Sequence, residues 1–230
     1  MHIAGVQKLT LLDFPGHIAC TVFLSGCNLR CPFCHNASLV LPRPDAPAGM
    51  DAEELLAFLQ KRRGRLQGVC ITGGEPTLYP DLPELLRQIH LLGYAVKLDT
   101  NGTNPDMLRA VLAEGLADYV AMDIKNSPTR YPETCGGGDV LDKVKESAAL
   151  LMQSGIDYEF RTTLAHPLHT REDLTAIGQW LTGAKRYFLQ QFVDSGDLIG
   201  SGLTPLTDEE MESMRQAVLP YIKETTLRGI

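Results

Sequence analysis

The sequence predicts an α/β protein with a mainly parallel sheet, and three observations carry that prediction. Short apolar, β-branched runs alternate with helical patterns six times along 230 residues. Polar motifs gather where the strand-like runs end. No linker or low-complexity tract divides the chain, so residues 1–230 are expected to form one domain.

The elements follow in order. "IACTVFLSG" (18–26) reads as a strand running into a cysteine-rich loop, and the Pro-rich "LPRPDAPAG" leads to a helix over about 50–63, capped by Asp51. "GVCITGG" (68–74) is a second strand, followed by the helix "PDLPELLRQIHLLG". "YAVKLDTNG" (94–102) with "PDMLRAVLAEG" (105–115) repeats the unit. "DYVAMDIK" (118–125) precedes a helix over about 140–154, and "DYEFRTTLA" (157–165) precedes "REDLTAIGQWLTG". "RYFLQQF" (186–192) is followed by a last helix near 208–222. Right-handed crossovers wind such units into an open doubly wound sheet or a barrel, and six units fall short of a full eightfold barrel.

The net charge of −7 argues against a nucleic-acid surface. No apolar run approaches 18 residues, so no membrane span is expected. The start, "MHIAGVQKLTLLDFPG", lacks the features of a signal peptide. Six cysteines in a chain able to build a sizeable core fit a reducing cytoplasm with a metal loop better than a disulfide framework.

That loop is "SGCNLRCPFCHN", with Cys27, Cys31 and Cys34 in a C-x3-C-x2-C spacing. Three thiolates can hold three corners of a [4Fe–4S] cube and leave the fourth iron open to chemistry. Zinc in a Cys3His set with His35 is the main rival, although adjacent residues chelate one ion only with strain. "TGGEP" (72–76) follows a strand; its glycines permit close backbone approach, and Glu75 could bind an ammonium. The plainer reading of that motif is a strand-to-helix turn with a solvated Glu.

"GCNLRCPFCHN", "GGEP", "LDTNG", "MDIK" and Arg161, in that order, resemble the radical S-adenosylmethionine (SAM) superfamily and, within it, the activating enzymes of glycyl-radical enzymes. The likeness runs from about Asp13 to Phe192 and is strongest to the anaerobic ribonucleoside-triphosphate reductase activating group; pyruvate formate-lyase activating enzyme is similar too. It implies a partial (β/α)6 TIM-like barrel of the radical SAM type. It also implies a [4Fe–4S] cluster on Cys27, Cys31 and Cys34, with SAM chelating the open iron. Phe33 would lie near the adenine; Gly73, Gly74 and Glu75 would meet the methionine ammonium. Asp99 and Lys125 would flank the amino-acid and ribose portions, and Arg161 would approach the carboxylate. Asp99, Thr100 and Asp123 match positions that hold a monovalent cation in some relatives. No catalytic residue is implied beyond these ligands. The implied reaction is reductive cleavage of SAM and formation of a glycyl radical on a partner enzyme. A low-potential donor such as flavodoxin or ferredoxin would supply the electron.

There are departures from the pattern. "DFPG" (13–16) has Phe14 where the group has Gly. A His expected after the sixth strand is missing from "QQFVD", which leaves Gln190, Gln191 or Asp194 as the candidate substitutes. No second C-x2-C occurs. Cys20 and Cys70 read as core residues, and Trp180 as core packing; Cys135 lies in a Gly-rich stretch that could border a substrate. His166 and His169 read as loop residues. Two alternative functions stay open: a radical SAM enzyme with a small substrate, such as a 7-carboxy-7-deazaguanine synthase, and a non-enzymatic metal-binding module.

Overall fold

A computed structural model describes residues 1–41, 49–136 and 138–230. The Pro-rich connection therefore lies largely outside the described residues. The chain divides into two compact units: Met1–Cys27, Ser38–Thr100 and Asn104–Ala121, and then Asn28–Ala37, Asn101–Thr103 and Met122–Ile230.

In the first unit, strands β1 (Ile3–Thr10), β2 (Ala19–Leu24), β3 (Gly68–Gly73) and β4 (Ala95–Thr100) alternate with helices α2 (Ala52–Lys61) and α3 (Leu82–Leu91). A short helix α1 (Ala37–Val40) precedes α2, a 3-10 turn (Pro76–Leu78) follows β3, and α4 (Pro105–Ala113) leads to β5 (Tyr119–Asp123). β2, β3 and β4 run parallel, with Thr21 beside Cys70 and Cys70 beside Lys97. Five of the six residues of β2 and the first four of β3 are buried, as suits parallel strands covered by helices. Asp51 caps α2 as expected, in a reciprocal box with Glu54. Leu55 and Leu59 of α2 and Leu82, Leu85, Leu86 and Ile89 of α3 supply the apolar cover.

β1 was not expected. It pairs antiparallel with β2 through two register irregularities. Phe14 explains the departure at "DFPG": it is 2% exposed and forms a small cluster with Ala19 and Tyr119. A Cβ at Gly68 would come within 2.7 Å of its ring.

In the second unit, α5 (Tyr131–Cys135) and α6 (Leu141–Gln153) precede β6 (Asp157–Leu164), α7 (Arg171–Trp180), β7 (Tyr187–Gln191), α8 (Asp208–Val218) and β8 (Thr225–Arg228). β6, β7 and β8 run parallel. Thr170 caps α7 in a box with Asp173, and Thr207 caps α8 with Glu210. β8 is a further addition to the six expected strands. Its Arg228 lies 3.3 Å over the Phe188 ring and grips the buried Glu159 through two bonds of 2.9 and 3.0 Å. Trp180 packs edge-on against Tyr131, its ring centroid 6.2 Å away.

Candidate functional site

Within the first unit the carboxyl ends of the parallel strands carry the predicted residues. Gly73 closes β3, Asp99 and Thr100 close β4, and Cys27 follows β2 after Ser25 and Gly26. The paired glycines have a physical reason that the sequence did not disclose. A Cβ on Gly73 would sit 2.3 Å from the Leu24 backbone, and one on Gly74 would sit 1.9 Å from the Gly26 oxygen. The close approach they permit is to the root of the cysteine loop. Gly74 N–H donates to Leu24 (2.8 Å) and Glu75 N–H to Gly26 (2.8 Å).

Glu75 is fully buried rather than solvated. Its Oε1 accepts from the Thr77 amide (3.1 Å), the Thr77 hydroxyl (2.5 Å) and the Thr100 hydroxyl (2.7 Å). One carboxylate thus caps the 3-10 turn and ties the end of β3 to the end of β4. Asp99 forms an ion pair with Lys97, a residue that the sequence reading passed over.

The second unit carries a denser set. Asp123 accepts from Lys125 Nζ (3.0 Å) and from Arg161 Nε (2.9 Å). Burial alone would raise the Asp123 carboxyl; the Arg161 guanidinium and the Lys125 ammonium outweigh it and hold the group well below the usual carboxylate range. For Lys125, burial works against the charge, and Asp123 raises the ammonium above its ordinary value. Lys125 Nζ stands 6.0 Å from the centre of the Phe33 ring. His169 meets the opposite requirement of a buried residue. It is 2% exposed, contacts the Lys125 carbonyl oxygen at 2.8 Å through Nε2, and packs edge-on against Phe33 at 5.8 Å. A loop histidine in the sequence reading, it buttresses both neighbours in the structure.

Cys31 is 6% exposed. Its Sγ donates to the Cys135 carbonyl oxygen at 3.9 Å, and the neighbouring Cys135 side chain pulls its thiol below the ordinary value, against burial and with help from Lys125. That favours the thiolate, which is the ligating form. Burial raises the Cys34 thiol. Cys135 is not at an edge, as the sequence left open, but completely buried at the end of α5. The loop is held by its backbone: Arg30 N–H donates to Cys135 (2.8 Å), Cys34 N–H to Cys31 (3.0 Å) and Gly200 N–H to Pro32 (2.9 Å). Asn28 donates to Thr103 (2.9 Å) and accepts from Asn101 (3.1 Å), so "DTNG" also steadies the loop.

All six cysteines are free thiols. Among the described residues, no three His, Cys, Asp or Glu side chains are gathered tightly enough to hold a single metal ion. Ligands of a cube each take a different iron, so three loop thiols, one buried and two half-buried, with the buried one already inclined to ionise, fit a cluster. His35 packs on Phe192 with centroids 5.5 Å apart. Of the candidates for the missing His, Gln191 bonds both backbone groups of Leu206, and Asp194 accepts from the Gly196 amide at 2.8 Å. Among the described residues, no helix is long and apolar enough to cross a membrane.

Comparison with known proteins agrees with this chemistry. The radical SAM superfamily profile matches residues 21–181. A Methanocaldococcus jannaschii protein, whose name provisionally places it among the glycyl-radical enzyme activating enzymes, is 30% identical over 99% of this chain and 96% of its own. A 7-carboxy-7-deazaguanine synthase of Methanopyrus kandleri is 35% identical over 53% of this chain and 57% of its own. The pyruvate formate-lyase-activating enzyme of Clostridium pasteurianum is 34% identical over 54% and 52%. Among solved structures, Streptococcus suis SuiB bound to S-adenosylmethionine covers 91% of this chain with a TM-score of 0.66 at 16% identity, spanning 52% of SuiB. That likeness bears out the fold class, α/β with the partial (β/α)6 barrel of these enzymes.

Proposed function

Because the chain belongs to the radical SAM superfamily, which uses a [4Fe–4S] cluster and SAM, we propose that it activates a glycyl-radical enzyme, anaerobic ribonucleotide reductase or a relative of it. The observation that carries the reading is the match to the M. jannaschii protein, which spans nearly the whole of both chains. The deazaguanine synthase match covers about half of each, and the reaction of that enzyme on a small molecule is the second reading.

In the proposed enzyme Cys27, Cys31 and Cys34 ligate the cluster. When bound and reduced by a flavodoxin- or ferredoxin-like donor, the cluster would supply the electron for reductive cleavage of SAM, chemistry that an activase directs at a glycine Cα of its partner. The protein's own part is orientation and exclusion of water. Lys125 and Arg161, kept charged beside Asp123, offer a fixed cationic pair to the amino-acid end of SAM. Phe33, braced by His169, offers a face to the adenine. In the first unit, Gly73, Gly74, Glu75 and Asp99 are the residues proposed to contact SAM.

The test is electron paramagnetic resonance on anaerobically reconstituted, reduced protein mixed with SAM and each glycyl-radical enzyme of its host. A glycine-centred doublet on one partner is expected. No doublet with any of them, together with SAM-dependent turnover of a small substrate, would favour the second reading instead.

A further inference from the structure

Lys97 lies mid-strand in β4, between Val96 and Leu98, and is 2% exposed. An ammonium so placed needs a partner, since an unpaired buried charge is incompatible with a stable fold. Nζ bonds Asp99 and lies 3.8 Å from Cys70 Sγ. Residues two apart on a strand face the same way, and Cys70 is the direct neighbour of Lys97 in register. The arrangement is therefore built in by the strand, with a fixed positive charge held against the Asp99 carboxylate.

Asp99, Thr100 and Asp123 are the positions that the family resemblance assigns to a monovalent cation, and these residues do not fit one. Asp99 is ion-paired to Lys97. The Thr100 hydroxyl donates to Glu75 at 2.7 Å. Asp123 carries Lys125 and Arg161 at 3.0 and 2.9 Å. Each anionic donor already has a cation supplied by the chain. We propose that the Lys97 ammonium takes the place of an alkali cation at Asp99, making Lys97 a positioning residue and SAM binding independent of sodium or potassium. The inference rests on the SAM-binding part of the reading above and not on the identity of the partner.

The test is the Kd for SAM of the full, anaerobically reconstituted chain, measured by equilibrium dialysis at constant ionic strength in choline, sodium and potassium chloride. The wild-type value is expected to stay within about twofold across the three salts. Lys97→Met should bind roughly tenfold more weakly in choline and regain affinity in sodium or potassium, with sodium-23 line broadening that the wild type lacks. Lys97→Arg keeps the charge and should stay salt-independent, which preserves the test if Lys97→Met does not fold. Wild-type affinity that collapses in choline overturns the proposal, and so does a folded Lys97→Met with unchanged affinity in every salt. Protein that binds SAM but raises no glycyl radical leaves this inference standing and removes only the activase reading.

Discussion

Asp123 shows how single residues set the electrostatics of the second unit. Two cations face one carboxylate that keeps 30% of its side-chain surface exposed, so solvent moderates but does not cancel their pull. Its folded pKa is depressed below the unfolded value of about 3.9. The contribution of its ion pairs is therefore complete above about pH 4 and is lost as the pH falls through the folded value. In Asp123→Asn, Lys125 and Arg161 lose their anion, and stability at neutral pH should drop. The acid limb should flatten by up to one proton, about 1.4 kcal/mol per pH unit. Urea titrations between pH 2 and 7 measure both effects, and an unchanged acid slope would show that the pairing does not persist in solution.

At the scale of elements, the turn after β3 is shaped by contact of backbone with backbone. Gly74→Ala would place a methyl against the Gly26 carbonyl, and neither side can yield as a flexible side chain could. A loss of roughly 1–3 kcal/mol is expected, with poorer iron retention after reconstitution because Gly26 leads into Cys27. Full stability and full iron content in this variant would contradict the packing account. The caps differ in kind. Asp51 caps an exposed helix start, so Asp51→Ala should cost about 1 kcal/mol. Asp173 serves the α7 box and also accepts from Ser127 (2.6 Å) and Arg130 (3.1 Å), with its side chain 8% exposed. Asp173→Ala should cost roughly 2–4 kcal/mol, since it strands buried donors as well as the cap. Equal losses in the two variants would refute that distinction. These elements also show what the sequence could disclose. β2 to β7 were legible because their apolar, β-branched runs end in Gly or charged clusters. β1 was not, because its middle is half-buried or exposed and its register slips twice, which erases any twofold alternation. β8 is four residues long, and α5 only five. Lys97 was missed because a charged residue within an alternating strand reads as its solvent face. The available signal was Asp99 two positions on, on the same face.

For the molecule as a whole, the order of β/α units delivers cysteines, glycines, carboxylates and cations to strand ends from motifs far apart in sequence. Local motifs therefore named most of the candidate site, while His169, Asn28 and Asn101 became visible only as the supports of named residues. Such a site adds further to global stability when it is filled, because ligands that bind the folded state alone raise its stability by mass action. At about a hundred times Kd, a ligand contributes about 2.7 kcal/mol, and for a chain of this size each kcal/mol moves Tm by about 2–4 °C. Reconstitution with iron and sulfide, followed by saturating SAM, should raise Tm by roughly 5–10 °C over the apo protein. Cys31→Ala should fold in the apo state with a Tm close to wild type, since it removes one sulfur from a loop secured by backbone bonds. It should then show neither the cluster-dependent rise nor cleavage of SAM to 5′-deoxyadenosine and methionine. Anaerobic differential scanning fluorimetry with product analysis reads both quantities. If Cys31→Ala kept the full thermal shift and the cleavage activity, the cysteine loop would not be the seat of the chemistry.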